Sequence, residues 1–295
     1  HEPGLPEIAG FRRVIPGGKK AQVWARLLAD RLFRLSTPFR QVNPDAVLVF
    51  GCPKSGTSAV AHLLAEAGAL KATVDIPTFW QTPAADVLEG RISIDTLLSQ
   101  HKAYFSRDLI KEPGLTAIMD TLVSRLEAKK VVFVVRDPVT TVRSILQRRG
   151  VPGHLTALTA AQRLQLSKRN WHWTYDWPYK CEPQEPAWLS GRHYVEGLAM
   201  LWQSSVDALV RTQGQGVSPV VIRYEDFIEG KQAVIHQTLE ALGVEVKVDI
   251  SSALDRQFQP AGDHSKPVQD FFGPDNFDRI IDATHAGREM FNYSA

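Results

Sequence analysis

Cysteine is scarce in this chain of 295 residues, which contains only Cys52 and Cys181. Two cysteines cannot build the disulfide framework of a small secreted protein, so we expect two free thiols and a reducing, cytoplasmic setting. Long apolar runs are absent as well. None reaches the roughly eighteen residues of a membrane-spanning helix, and the chain does not begin with a signal-peptide pattern. Since its first residue is a histidine, an anchor or tag upstream of residue 1 stays open.

An excess of charge of one sign is also missing, because the formal net charge is only +2. Proteins that bind nucleic acid usually carry a strong basic excess, so we predict no nucleic-acid partner. Apolar residues make up 44% of the chain. At this length they can bury one large α/β core, and two independent domains are not required. The oligomeric state is left open.

Basic residues are concentrated near the N-terminus, where residues 11–40 hold eight of them against one acid. Within this stretch, residues 20–36 place Trp24, Leu28 and Leu35 on one helical face. We therefore predict an N-terminal extension, residues 1–44, that contains a basic amphipathic helix. One interpretation is peripheral contact with a membrane surface or an acidic partner. The alternative, which we favour, is a packed helix whose charges lie in water.

The most informative segment is VLVFGCPKSGTSAV at residues 47–60. An apolar strand leads into a glycine-bounded loop, Gly51 to Gly56, which opens an apolar helix. Backbone N–H groups in such a loop converge on one anion. The loop differs from the triphosphate-binding motif G-x-x-x-x-G-K-[ST], because Thr57 stands where that motif has its lysine. Lys54, inside the loop, can instead reach an anionic group at the 5′ end of a nucleotide.

Two further segments have the same strand-to-helix pattern. The apolar strand 131–135 ends in Arg136, and Ser144 lies two turns into the helix that follows. Guanidinium groups match the geometry of phosphate, and a hydroxyl adds a neutral donor. The strand 220–222 ends in Arg223-Tyr224-Glu225-Asp226, and a helix ending at Gly243 follows. We expect Glu225 and Asp226 to be structural, at the start of that helix.

Together these segments resemble the sulfotransferases that use 3′-phosphoadenosine 5′-phosphosulfate (PAPS). The resemblance covers most of residues 45–293 and is specific at the two phosphate motifs. It implies transfer of a sulfuryl group to an acceptor, with 3′-phosphoadenosine 5′-phosphate (PAP) as the product nucleotide and no metal. The residues that it implies for nucleotide binding are Lys54, Ser55, Gly56, Thr57, Ser58, Arg136, Ser144, Arg148, Tyr224 and Lys266.

Their implied roles differ. Arg136 and Ser144 hold the 3′-phosphate, and Arg148, one turn beyond Ser144, either adds a second charge or is a solvated helix residue. Tyr224 lies near the nucleotide. Lys266 belongs to a late loop that closes over the nucleotide, although the glycine-rich signature of that loop is poorly kept here.

The order of strands and helices predicts a single α/β domain, residues 45–295, with a doubly wound parallel sheet. We place its strands at 47–50, near 109–110, at 131–135 and at 220–222. Ligands of such sheets bind beyond the carboxyl ends of the strands. Lys54, Arg136 and Tyr224 all fall there.

Sulfuryl transfer by in-line displacement needs a cation at the leaving oxygen, which we assign to Lys54, and a general base. Cytosolic sulfotransferases place a histidine two residues after a lysine, but this chain reads Lys111-Glu112-Pro113 there. The stretch is closer to the tyrosylprotein sulfotransferases, whose glutamate base follows the phosphate loop by about twenty residues. Asp75 occupies that position and is our first candidate for the base.

Glu112 is the second candidate. The alternative interpretations are a turn residue for Asp75 and a strand-end charge paired with a lysine for Glu112. We interpret His62, on the helix after the phosphate loop, as structural.

The acceptor is not readable from the sequence, and glycans, lipids, peptides and phenols all stay open. Residues 150–192 form an aromatic-rich insertion in which WHWTYDWPY, at 171–179, repeats an aromatic at every second position. Such a stripe suits either a platform for the acceptor or a lid packed on the core. Two alternative functions also stay open: a phosphate-loop kinase of a small metabolite, and a nucleotide-binding module without turnover.

Overall fold

A parallel sheet of five short strands forms the centre of the fold. The strands are β1 (Val47–Phe50), β2 (Ala72–Val74), β3 (Leu109–Lys111), β4 (Val131–Val135) and β5 (Val220–Arg223). Their order is β2-β3-β1-β4-β5, and every neighbouring pair is parallel. β1 and β4 are buried along their whole length, as expected for apolar strands covered on both faces. The strand that leads into the phosphate loop therefore lies at the centre of the sheet.

This computed structural model describes residues 32–33, 40–76, 83–167, 191–258, 262 and 265–293. Most of the predicted N-terminal helix at 20–36, the aromatic segment 171–188 and Cys181 lie outside these ranges. Within the ranges, no helix is long and apolar enough to cross a membrane.

Helices connect the strands and cover the sheet. They are α1 (Thr57–Ala67), α2 (Pro83–Leu88), α3 (Ile94–Gln100), α4 (Lys102–Phe105), α5 (Met119–Leu126), α6 (Pro138–Arg149), α7 (Ala160–Ser167), α8 (Tyr194–Gly214), α9 (Tyr224–Glu229), α10 (Lys231–Ala241), α11 (Val268–Phe272), α12 (Pro274–Ala283) and α13 (His285–Met290). Two 3₁₀ turns, Pro113–Ile118 and Ser251–Ala253, complete the described elements.

Alternate residues of each strand pack against opposite helix layers. Leu48 of β1 belongs to a core cluster with Leu122 of α5 and Trp202 of α8. Val49, the next residue, belongs to a second cluster that includes Val60 of α1 and Ile235 of α10. The sheet thus has a helix layer on each face. This confirms the predicted single α/β domain with a doubly wound parallel sheet.

The strands at 47–50 and 131–135 have the predicted bounds, and those near 109–110 and at 220–222 are each one residue longer at the carboxyl end. β2 was not predicted. It has only three residues, begins at the exposed Ala72 and lies at the sheet edge, where it pairs with β3 alone. A strand this short and this exposed leaves no apolar run in the sequence.

Candidate functional site

The phosphate loop adopts a backbone that requires glycine at both ends. Gly51 and Gly56 have φ angles of 147° and 92°. A Cβ atom at Gly51 would lie 2.3 Å from the carbonyl oxygen of Val134, and one at Gly56 would lie 2.2 Å from the ring of Tyr224. The loop is therefore pressed between β4 and Tyr224, and a larger residue at either position would have to displace one of them.

Lys54 also has a positive φ, 74°, in a region that costs a residue with a side chain about 1–2 kcal/mol. Strain of this kind persists where the surrounding structure fixes it, which is often at functional sites. Burial, followed by the positive charges of Arg148, Arg136 and Lys111, lowers the pKa of Lys54 to about 8. Four cationic groups thus face one region at the loop, which favours an anionic ligand there.

The hydroxyl-bearing residues of the loop and of the first turn of α1 are buried. Ser55 is fully buried, and Thr57 and Ser58 are at most 9% exposed. In the described part of the chain the Ser55 hydroxyl has no hydrogen-bond partner. A buried polar group without a partner costs about 1–3 kcal/mol, and an anion bound in the loop would supply an acceptor for it. The loop therefore fits a phosphate or sulfate group.

Thr116 holds the beginning of the loop, a role that sequence reasoning missed. Its hydroxyl accepts a hydrogen bond from Gly51 N–H and donates one to Gly51 C=O, both at 3.0 Å. Thr116 is 2% exposed and lies in the 3₁₀ turn after β3. Nothing in its local sequence marks it, because its partner is 65 residues away.

Arg136 and Tyr224 meet beside the loop. The Arg136 guanidinium lies 4.6 Å from the centre of the Tyr224 ring, and its Nη1 makes a long, 3.4 Å hydrogen bond to the carbonyl oxygen of Lys54. Since the same ring packs on Gly56, Tyr224 fixes both the loop and the arginine. Three predicted nucleotide-binding residues are therefore brought together.

The rest of the predicted nucleotide site lies on α6 and the late loop. Ser144 is half-buried, and Arg148 is exposed, one turn further along, yet its charge acts on Lys54. Lys266 is tied to α6 by its main chain, because Arg143 Nη1 donates to its carbonyl oxygen at 2.8 Å. The Lys266 side chain is exposed.

Asp75 is joined to the loop helix through Lys111. The Lys111 ammonium donates to Asp75 Oδ1 at 2.5 Å and to Ser58 Oγ at 2.9 Å. Asp75 N–H in turn donates to the Lys111 carbonyl oxygen at 2.9 Å. The Asp75 carboxylate, the Lys111 ammonium and the Ser58 hydroxyl are thus held together at the carboxyl ends of β2 and β3. Sequence reasoning missed the role of Lys111 as the partner of Asp75.

Glu112 has a different environment from Asp75. It is 6% exposed, and its two carboxylate oxygens accept hydrogen bonds from Gly114 N–H and Ile76 N–H, each at 2.9 Å. It therefore caps the 3₁₀ turn that begins at Pro113 and fixes the chain just after Asp75. These contacts favour a structural role for Glu112 over that of base.

His62 and Cys52 are packing residues. The ring of His62 stacks on Phe258, with centroids 4.9 Å apart, in keeping with the structural interpretation. Cys52 is a free, buried thiol, and burial raises its pKa to about 12. Such a thiol is not a nucleophile at neutral pH.

Known proteins resemble this chain in fold. No protein family model matches the chain, and no curated protein matches it. The crystal structure of sulfotransferase STF9 from Mycobacterium avium is similar, with a TM-score of 0.51, 10% sequence identity, and coverage of 93% of this chain and 84% of that one. At this identity the likeness shows a shared fold.

Two other solved structures are similar at lower TM-scores. A sulfotransferase domain from the curacin biosynthetic pathway has a TM-score of 0.47, 15% identity, and coverage of 85% of this chain and 99% of that one. A sulfotransferase domain from the Synechococcus PCC 7002 olefin synthase has a TM-score of 0.40, 14% identity, and coverage of 87% and 97%.

Proposed function

We propose that this protein is a PAPS-dependent sulfotransferase, which transfers a sulfuryl group to a hydroxyl group or an amine of an acceptor. The observation that carries the proposal is the meeting of Lys54, Arg136 and Tyr224 around one phosphate loop at the carboxyl ends of β1, β4 and β5. The fold shared with STF9 is compatible with this activity but does not by itself establish it.

The charge distribution suits a donor with two anionic ends. The loop amides, the Ser55 hydroxyl and the Lys54 ammonium suit the 5′-phosphosulfate. Arg136, Ser144 and Arg148, on the strand end and helix next to the loop, suit the 3′-phosphate. An adenosine nucleotide without a 3′-phosphate would leave this second group of donors without an anion, so we expect it to bind more weakly.

PAPS supplies the chemistry: the acceptor oxygen forms a bond to sulfur while the bond from sulfur to the 5′-phosphate oxygen breaks. The protein's own residues then act on charge and on the proton. Lys54 and the loop N–H groups stabilise the negative charge that develops on the leaving phosphate. The acceptor proton passes to the carboxylate of Asp75, which Lys111 orients.

Asp75 suits this role better than Glu112. Its side chain is 60% exposed although its partner Lys111 is buried, so an acceptor can reach it. Both oxygens of Glu112 are engaged by backbone amides. An accessible carboxylate beside the loop also favours an enzyme over a nucleotide-binding module without turnover.

A transfer screen tests the proposal. The full chain is incubated with ³⁵S-labelled PAPS and separate glycan, lipid, peptide and phenol acceptors, with an extract of the source cells as a further pool. A parallel series with ATP and Mg²⁺ tests the alternative of a kinase, which the threonine in place of the motif lysine disfavours. We expect label on one acceptor class, lost in Lys54→Ala. Phosphate transfer from ATP without sulfuryl transfer would refute the proposal.

A further inference from the structure

One peptide unit beside the nucleotide site is held at both of its polar groups. The C=O of Arg136 accepts a hydrogen bond from Trp202 Nε1 on α8 at 2.8 Å. The N–H of Asp137 donates to Glu225 Oε1 on α9 at 3.0 Å. Because the peptide unit is planar, two bonds on opposite sides fix its rotation. They therefore fix the direction in which the adjoining Cα atom presents the Arg136 side chain.

Both supporting side chains rest on the same segment at the end of the domain, residues 285–293, which we call the C-terminal brace. Tyr293 donates its hydroxyl hydrogen to Glu225 Oε2 at 2.9 Å. Gly287, on α13, lies against the Trp202 ring so closely that a Cβ atom would be 2.5 Å from it. The two ends of the brace thus support the two side chains that hold the 136–137 peptide unit.

The brace is itself fixed. Tyr293 N–H donates to the Arg288 carbonyl oxygen at 3.0 Å, and the Arg223 guanidinium lies 4.9 Å from the centre of the Tyr293 ring. Burial, with the nearby charge of Glu225, raises the pKa of the Tyr293 phenol. The hydroxyl therefore stays protonated and remains a donor to the carboxylate.

We propose that the C-terminal brace is a positioning device for Arg136, through which Tyr293 and Trp202 set the preference of the site for nucleotides that carry a 3′-phosphate. This inference rests on the proposed function. Trp202 is 1% exposed, so it does not contact a ligand directly, and its hydrogen bond to the Arg136 carbonyl oxygen links it to the site. A change in the brace should alter binding of the 3′-phosphate and leave the 5′ end of the nucleotide unaffected.

Tyr293→Phe removes one hydroxyl and keeps the ring that Arg223 covers. The matched control is Tyr194→Phe, which removes the hydroxyl of a buried tyrosine outside the brace; that hydroxyl donates to the Pro152 carbonyl oxygen and accepts from Leu155 N–H. Calorimetry measures the dissociation constants of PAP and 5′-AMP for both variants and for the wild type. A second measurement, amide hydrogen exchange at Asp137 in the free proteins, reports on the brace without any nucleotide.

In Tyr293→Phe we expect the ratio of PAP to 5′-AMP affinity to fall by about threefold to tenfold, the range of one net hydrogen bond. We expect the Asp137 amide to exchange faster, and Tyr194→Phe to leave both values unchanged. An unchanged ratio, or an equal fall in Tyr194→Phe, would overturn the inference. An unchanged exchange rate would also overturn it.

A wild-type protein that binds PAP and 5′-AMP equally would count against the proposed function. That failure is distinguishable, because the exchange rate of Asp137 tests the brace in the absence of nucleotide. Glu225→Ala is a second variant, because it removes both carboxylate oxygens, which accept from Asp137 N–H and from the Tyr293 hydroxyl. Its ratio of PAP to 5′-AMP affinity should fall at least as far as that of Tyr293→Phe.

Discussion

The ammonium group of Lys111 lies 2.5 Å from the carboxylate of Asp75, although the lysine side chain is 2% exposed and the aspartate side chain is 60% exposed. A buried charge is tolerated when it is paired and hydrogen-bonded, and Lys111 has both Asp75 and Ser58 as partners. The pair therefore fixes an accessible carboxylate at a set place beside the phosphate loop, which is what a general base requires.

Asp75→Asn should lower turnover by about 10²–10⁴-fold, the usual contribution of a positioned base. The amide keeps the size of the side chain and an oxygen for Lys111, so we expect PAP affinity to change by less than about threefold. Single-turnover rates with labelled PAPS and calorimetry with PAP measure the two quantities. Wild-type turnover in Asp75→Asn would assign the proton to another group.

Glu112→Gln should lower the stability of the protein more than it lowers turnover. Both Glu112 oxygens accept backbone N–H groups, and the amide nitrogen of glutamine cannot accept one. We expect a loss of about 1–3 kcal/mol in the free energy of unfolding, the penalty for an unsatisfied buried group. Urea denaturation measures this loss. Abolished turnover in a stable Glu112→Gln variant would make Glu112, and not Asp75, the general base.

Sequence reasoning located the parts of the site that belong to local motifs. The strands before Gly51 and Arg136 are continuous apolar runs, and in a parallel sheet their carboxyl ends meet, so Lys54, Arg136 and Tyr224 were expected to converge. The contacts of the Tyr224 ring with the Arg136 guanidinium and with Gly56 were not predicted.

The sequence could not show which side chain hydrogen-bonds to which backbone group across the fold. The contact of Trp202 with Arg136 spans 66 residues, and that of Glu225 with Asp137 spans 88. Glu225 was expected to act at the start of its own helix, yet its two oxygens bond to Asp137 and Tyr293. Such partners depend on how helices pack on the sheet, and no local pattern encodes them.

The protein should bind PAP at least about tenfold more tightly than 5′-AMP. Arg136, Ser144 and Arg148 are the donors available to a 3′-phosphate, and a charge-assisted hydrogen bond contributes about 1.5–3 kcal/mol. Calorimetry measures both dissociation constants. Arg136→Ala should remove most of the difference and leave 5′-AMP binding nearly unchanged. Equal constants in the wild type would refute the assignment of these residues to a 3′-phosphate.

Lys54→Ala should reduce turnover by more than about a hundredfold while weakening PAP binding by about tenfold or less. The reason is that the leaving phosphate gains negative charge during transfer, so the ammonium interacts more strongly with the transition state than with bound nucleotide. Turnover measurements with labelled PAPS and PAP calorimetry on the same preparation separate the two effects. A variant that binds PAP poorly but keeps its maximal rate would make Lys54 a binding residue alone.

The affinity for PAP should fall as the pH rises through about 8. Burial, followed by the charges of Arg148, Arg136 and Lys111, lowers the pKa of Lys54 to about 8 in the free protein. A bound anion favours the protonated ammonium and raises that pKa. Below pH 8 the free protein already carries the proton, so binding does not depend on it. Above pH 8 the protein must take up a proton in order to bind, and affinity declines.

The decline is limited, because fully deprotonated Lys54 is neutral and resembles the Lys54→Ala variant. We therefore expect a total fall of about tenfold or less between pH 7.5 and 9.5, measured by calorimetry in buffers of different ionisation enthalpy that also report proton uptake. The phosphate groups of PAP are fully ionised across this range, since their second pKa is about 6. Lys54→Arg is the matched control: its guanidinium stays charged, so its affinity should be flat. An equal decline in wild type and Lys54→Arg would assign the proton to a different group.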